Sequence, residues 1–409
     1  MARRLDPTIK LQQILRQQLE GALQGDVLTE VRRKTQGKQI EFRERTSMIC
    51  DGLQVTEQTM PELYALCNEV KEALEFTDEV IFYILGDNEI NAHAYISEDA
   101  DKPHIIIINS GLFNLMDNDE MKFIIGHEIG HLVNKDSYIK RLYNFLYLYI
   151  NGDEEIDKAP DIIRYRMIQY NQLAEYAADR YGYGACMDLK PCVTALYKLT
   201  CGIDLKKMGV SIESLLDQNL DKATYLYNHY IISGGTHPHI PMRIHAMVMY
   251  AKCPTLKSLD EQMNMLFESI PGILHSELDH QMAIFAAAAG IKLASKDGKI
   301  EKAERDMIVE EIAKYELEPS KLLKAVQKSV DIDEEIERSL TFILEKDPSK
   351  VIEMFKYYID LAFADKSLQV SELESIKVFA NRIGLDEDAM YETIADEIRE
   401  NYNSLAESL

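Results

Sequence analysis

The chain has 409 residues, 46% of them hydrophobic, with 69 acidic against 45 basic side chains and a formal charge of −24. That length exceeds a usual single core, so more than one domain is expected. The acid excess excludes nucleic acid as the main partner, because phosphate binding needs a concentrated basic surface.

Only the start is locally basic, with Arg3, Arg4, Arg32, Arg33, Lys34 and Lys38, a face read either as solvated or as a contact for an acidic partner. The opening MARRLDPTIKLQQILRQQLEG lacks the continuous apolar run of a signal peptide, and no window reaches the ~18 apolar residues of a membrane span. The cysteines form no CxxC pair. They are expected to be reduced and mostly in the core, which gives the expectation of a cytoplasmic protein.

Periodic Leu, Ile and Val predict helices over residues 1–75, broken near Gly37 and at Pro61. Three β-rich runs follow, EVIFYILGD, NAHAYI and KPHIIIINSG, and predict a small sheet. A helix comes next: Asp117 and Glu120 have capping-box spacing, and Asp117, Asp119 and Glu120 lie where the positive end of the helix dipole falls.

That helix contains FIIGHEIGHLVNKD. One helical turn separates His127 from His131, so both project from one face and can share an ion, with Glu128 beside them to hold and deprotonate a water. Gly126 and Gly130 each cost about 1 kcal/mol relative to alanine inside a helix, which implies close approach by a neighbour or room for substrate. Two histidines alone are as consistent with ordinary core or surface residues. The deciding feature is NQLAEYAADRYGYGA further on, where Glu175 offers a third ligand and Asp179, one turn later, can accept the free ring N–H of His127. Two histidines and a glutamate with one position left open suit Zn2+ best.

Beyond this the pattern stays helical to about residue 251, with polar breaks at 151–160 and 233–241, and a domain boundary is expected near 276. The last third repeats itself: LASKDGKIEKAE and LAFADKSLQVSE align Asp297 with Asp365, Ile300 with Leu368 and Glu304 with Glu372, as two related helical hairpins would.

HEIGH followed by Glu-Tyr-Ala-Ala-Asp-Arg resembles the gluzincin metallopeptidases of family M48, the group of the CAAX prenyl proteases and HtpX-like proteases. EINAHAY and GGTHPHIPMRI extend the resemblance, which covers about residues 61–251. It implies zinc bound by His127, His131 and Glu175, Glu128 as general base and later proton donor, and Asp179 behind the ligands. His237 then either stabilises the oxyanion, covers the metal in a resting form, or has no role, and Arg243 is a further member or an ion-pair partner. The segment between HEIGH and Glu175 is too polar for the membrane helices of integral family members, so the chain resembles the soluble ones. The isoleucine-rich strand, through Ile106, Ile107, Ile108 and Asn109, is expected to be the edge onto which a peptide adds.

The C-terminal repeats resemble tellurite-resistance TerB-like helical domains over about residues 280–385. An EF-hand is excluded because, with the next ligand positions falling on Lys299 and Glu301, the lysine offers no oxygen, Gly298 sits at the wrong place and position twelve is Ile308. The aspartates are read as turn formers and N-caps, with metal binding as the alternative.

The sequence thus predicts an α+β, predominantly helical protein: a helical extension over 1–60, a zincin domain over 61–275 and an all-α TerB-like domain over 276–409. The expected function is a zinc endopeptidase acting on protein or peptide substrates, with the last domain recruiting or regulating through a protein partner. The alternative is a sensor or binding protein, or a latent protease, whose zinc site stays closed until a partner binds.

Overall fold

A computed structural model describes residues 6–23, 25–32, 46, 50–97, 101–151, 154–228, 237–259, 263, 277–294, 300, 302–363 and 370–406. The chain divides into two compact units, Met1–Ile270 and Pro271–Leu409.

In the first unit, helices α1 (Lys10–Ala22) and α2 (Gly25–Arg32) precede a small mixed sheet. Gln12, Leu15 and Leu19 form the buried stripe of α1, at the spacing of one helix face. Strand β1 (Leu53–Gln54) is followed by helix α3 (Pro61–Ala73), whose proline occupies the first turn, where no intrahelical N–H bond is lost. Strands β2 (Val80–Leu85), β3 (Ala92–Tyr95) and β4 (His104–Asn109) complete the sheet in the spatial order β1-β2-β4-β3. Strand β2 is parallel to β4, while β1 and β3 are antiparallel to their neighbours.

The four isoleucines alternate as a strand requires. Ile106 and Ile108 join the main core with Phe82, Phe123 and Ile125, whereas Ile105 and Ile107 pack with Tyr83 on the opposite face.

This topology corrects the expectation for the peptide-accepting edge. Strand β4 pairs along its length with β2 on one side and β3 on the other, so the backbone of Ile106, Ile107, Ile108 and Asn109 is already used. A run apolar on both faces belongs in the middle of a sheet, where both faces are covered. The edges are β1 and β3, the latter from the less apolar segment NAHAY.

Helices α4 (Ser110–Leu115) and α5 (Asn118–Asn134) follow. Asp117 caps α5 by accepting from the Asp119 and Glu120 amides at 3.1 and 3.0 Å, and Glu120 returns the bond from the Asp117 amide at 2.9 Å. Lys198 fixes this end from inside, donating to Glu120 at 2.7 Å and to the Leu115 carbonyl at 3.0 Å. The chain leaves α5 through Lys135, whose φ of 54° turns it abruptly into α6 (Asp136–Tyr147).

Where only a polar break was expected, Leu148–Asn151 (β5) and Glu154–Asp157 (β6) form an antiparallel hairpin. The strand-forming residues Leu148, Tyr149 and Ile150 ahead of Asn151-Gly152 account for it.

The long α7 (Asp161–Cys186) then packs against α5; α8 (Leu189–Cys201) lies against both, α10 (Ile240–Lys252) against α7, and α9 (Ile212–Asn228) packs on α8 and α10. Glycine makes the α5–α7 seam. A Cβ on Gly126 would lie 2.6 Å from the Ala185 Cβ and 3.0 Å from the Gly182 Cα, and one on Gly130 would lie 3.0 Å from the Ala178 Cα. Both glycine costs read from the sequence are thus offset by the helix approach they allow.

The described part of the second unit is helical: α11 (Glu277–Ala294), α12 (Lys302–Ala313), α13 (Pro319–Val326), α14 (Ile332–Lys346), α15 (Lys350–Ala362), α16 (Val370–Arg382) and α17 (Glu387–Ala406). Its core gathers around the alanine-rich α11. The repeat maps onto equivalent places: Leu293-Ala294 ends α11 and Leu361-Ala362 ends α15, while Glu304 and Glu372 sit in the first turns of α12 and α16. Asp297, Asp365 and Leu368 lie outside the described residues.

No helix among the described residues is long and apolar enough to cross a membrane. The cysteines are free thiols, but Cys50 and Cys201 are exposed and only Cys67 and Cys192 are buried, so the expected core placement holds for two of them.

Candidate metal centre

Helices α5 and α7 bring the sequence-predicted donors together. His127 and His131 lie one turn apart on α5, and α7, drawn close by the glycine seam, presents Glu175 to both. The ligand atoms of His127, His131 and Glu175 all lie within 4.8 Å of one another. The His127 and His131 Nε2 atoms are 3.1 Å apart, and each is 3.6 Å from a Glu175 carboxylate oxygen. Tetrahedral coordination with bonds of about 2.0–2.1 Å separates donor atoms by roughly 3.3–3.4 Å. The observed triangle therefore has the size of a zinc site.

The hydrogen bonds behind the donors support the same chemistry. His127 Nδ1 lies 3.0 Å from Asp179 Oδ1, and His131 Nδ1 lies 2.8 Å from Asp136 Oδ2. Each imidazole donates its Nδ1–H to a carboxylate, which leaves two bare Nε2 lone pairs pointing at one place. Only a cation or a proton between them makes that arrangement favourable. The surrounding field agrees: burial opposes protonation of His131, but the bond to Asp136 and the carboxylates of Glu175 and Glu128 prevail and raise its pKa to about 9.

Arg243, from α10, balances the acids. It donates to both Asp179 oxygens, from Nε at 2.8 Å and Nη2 at 2.7 Å, and its Nη1 is 3.0 Å from Glu175 Oε2. Burial raises the Asp179 pKa, but Arg243 and the hydrogen bonds outweigh it and bring the pKa down to about 2. Glu175 is likewise shifted downward, with burial opposed by Arg243 and the histidines. Both acids are thus held as carboxylates inside the protein.

Asp136 is a functional residue that the sequence reading missed. It follows the left-handed Lys135, a turn that folds it back onto His131. A short polar residue beyond the second histidine was the available signal, but helical periodicity does not predict a contact made through a left-handed turn.

His237 stands at the rim with 67% of its side chain exposed, its Nε2 3.4 Å from Glu175 Oε1. Glu128 is buried and shares with the donors a cavity of about 780 Å³. The cavity wall includes Asn91, Ala92, His93 and Ala94 of the β3 segment, but none of Ile106, Ile107, Ile108 or Asn109. Strand β4 therefore supports the edge strand instead of meeting a ligand.

Residues 57–251 match the model of peptidase family M48. Relatives named "Protease HtpX homolog" include one from Streptococcus gordonii, 32% identical over 89 residues, which are 22% of this chain and 29% of that protein. The homologs from Helicobacter acinonychis and Helicobacter pylori are 24% and 23% identical over 225 and 228 residues, 49% of this chain and 70% of each relative. No solved structure matches the chain. This similarity to peptidase family M48 and to the HtpX homologs supports a metallopeptidase.

Proposed function

We propose that the chain is a zinc-dependent endopeptidase that cleaves extended segments of protein substrates. The observation that carries this reading is the convergence of His127, His131 and Glu175 beside Glu128 in one cavity. His127, His131 and Glu175 hold the ion. What zinc supplies when bound is Lewis acidity, which polarises a peptide carbonyl and lowers the pKa of water toward ~7.

The protein's own groups do the rest. Glu128 accepts a proton from the attacking water and passes it to the leaving amine nitrogen. Asp179 and Asp136 fix the histidine tautomers, and Arg243 keeps Glu175 and Asp179 charged. The substrate pairs its backbone with the free edge of β3, as in β-augmentation, and so lies across the cavity. His237 donates to the oxyanion.

Residues 276–409, the TerB-like part of the chain, recruit substrate or regulate through a protein partner, beside a zincin domain over 61–275 and a helical extension over 1–60. A latent enzyme is a second reading, favoured by His237 lying against Glu175 at the cavity rim.

The test compares wild type with Glu128→Gln for metal content and for cleavage of a mixed peptide library read by mass spectrometry. Zinc in both with cleavage only in wild type supports the peptidase. Zinc in both and cleavage in neither favours the latent reading, and absence of zinc from wild type overturns the proposal.

A further inference from the structure

The N-terminal helix α1 reaches the metal centre from a distant part of the sequence. Gln12 Nε2 donates to Asp136 Oδ1 at 2.8 Å across 124 residues, and the Tyr170 hydroxyl donates to the same oxygen at 2.7 Å. The other oxygen of Asp136 takes the His131 ring. Gln12, Asp136 and Tyr170 are all buried, so no solvent substitutes freely for any of the three.

The rest of α1 is fastened to the two helices that bear the donors. Arg16 donates to the Asn134 carbonyl at the end of α5, and Arg180 of α7, the neighbour of Asp179, donates to the Thr8 carbonyl at 3.2 Å. Leu15 and Leu19 are fully buried along the same face of α1.

We propose that Gln12 is a positioning residue of the metal centre, and that docking of α1 sets the orientation of His131 through Asp136. This inference rests on the proposed function and deepens it. A buried carboxylate with one oxygen on a histidine can still rotate about its Cβ–Cγ bond. Two donors on the second oxygen stop that rotation, so Asp136 Oδ2 meets Nδ1 and the bare His131 Nε2 faces His127 and Glu175. Tyr170 supplies one donor from within the site's own helix pair. Gln12 supplies the other from outside it, which makes metal affinity depend on whether α1 is in place.

The test uses the full chain and three variants: Gln12→Leu, Tyr170→Phe and Leu15→Ala. Zinc affinity is measured by competition with a chromogenic chelator, kcat and KM on a cleaved peptide, and stability by thermal unfolding. Removing the partner that bonds a ligand histidine directly weakens metal binding about 10–100-fold. Gln12→Leu and Tyr170→Phe act one bond further out and are expected to weaken zinc binding up to about tenfold and to lower kcat, with KM within about twofold. Leu15→Ala, which loosens α1 but keeps both hydrogen bonds to Asp136, lowers the unfolding midpoint and weakens zinc binding less than Gln12→Leu does. Gln12→Leu binding zinc as tightly as wild type overturns the inference and leaves the peptidase reading intact. Wild type binding no zinc overturns the peptidase reading itself.

Discussion

Helix α5 of the first unit and helix α11 of the second are both largely buried, and the contrast between them separates a reaction centre from a scaffold. Each is buried along most of its length and gains close neighbours through glycine: Gly126 and Gly130 against α7, Gly290 against Ile308 and Tyr357. What differs is the polar content. The seam around α5 buries His127, Glu128, Glu175, Asp179, Arg243 and Asp136, all charged or chargeable, whereas the buried residues of α11 from Met282 to Ala294 are apolar and its Lys292 is exposed. Burying charge costs several kcal/mol per group before pairing. A fold that does so six times around one point, and avoids it in an equally tight helix elsewhere, has placed chemistry at that point.

The largest expected effect breaks the polar side of this comparison. Glu128→Gln should lower peptide cleavage by about 10²–10⁴-fold while metal binding persists, because it removes only the proton carrier. Kinetics with the cleaved peptide, beside a zinc titration, measure both.

Next is Arg243→Met, which leaves Glu175 and Asp179 buried without their cation. The expected loss is about 3–5 kcal/mol of stability, read by chemical unfolding. The counterpart within α11 is Gln281→Met: Gln281 Oε1 is buried with no hydrogen-bond partner while Nε2 donates to the exposed Glu277 at 2.9 Å, so the change should cost less than about 1 kcal/mol.

The glycines sharpen the comparison at a smaller scale. Gly126→Ala would press its Cβ on Ala185 at 2.6 Å and on backbone at 3.0 and 3.1 Å, and Gly290→Ala would press on the buried Ile308 Cγ1 at 2.5 Å and on the Tyr357 hydroxyl at 2.8 Å. Each should cost about 2–3 kcal/mol, and only the former should weaken zinc binding.

The smallest effect is in pH. Burial and the neighbouring Glu397 and Glu311 carboxylates raise the Asp360 pKa to about 7. An acid with a raised folded-state pKa stabilises the fold below its unfolded value of about 4, and that contribution is lost as pH rises through 7. The second unit should therefore unfold at lower temperature at pH 8 than at pH 5. Asp360→Asn should remove most of that difference, as differential scanning calorimetry at the two pH values would record.

The parts of the site that the sequence made legible are those that secondary structure turns into geometry. An i, i+4 spacing on a helix places His127 over His131 and Glu175 over Asp179, and the small residues around them announce that the two helices approach. The contacts that stayed hidden run through tertiary structure. Asp136 meets His131 only because Lys135 turns left-handed, and Gln12 meets Asp136 only because α1 docks from the far end of the unit. The four isoleucines, expected at a free edge, carry the double-sided apolar character of a central strand, and the hairpin of β5 and β6 falls where polarity alone predicts only a break.

Anomalous scattering at the zinc edge, from crystals of the full chain grown with zinc, tests the metal centre directly. The account predicts one peak in this cavity, bonded to His127 Nε2, His131 Nε2 and a Glu175 oxygen, with Glu128 near it but unbound. No peak there, or a peak that takes Glu128 in place of Glu175, would contradict it.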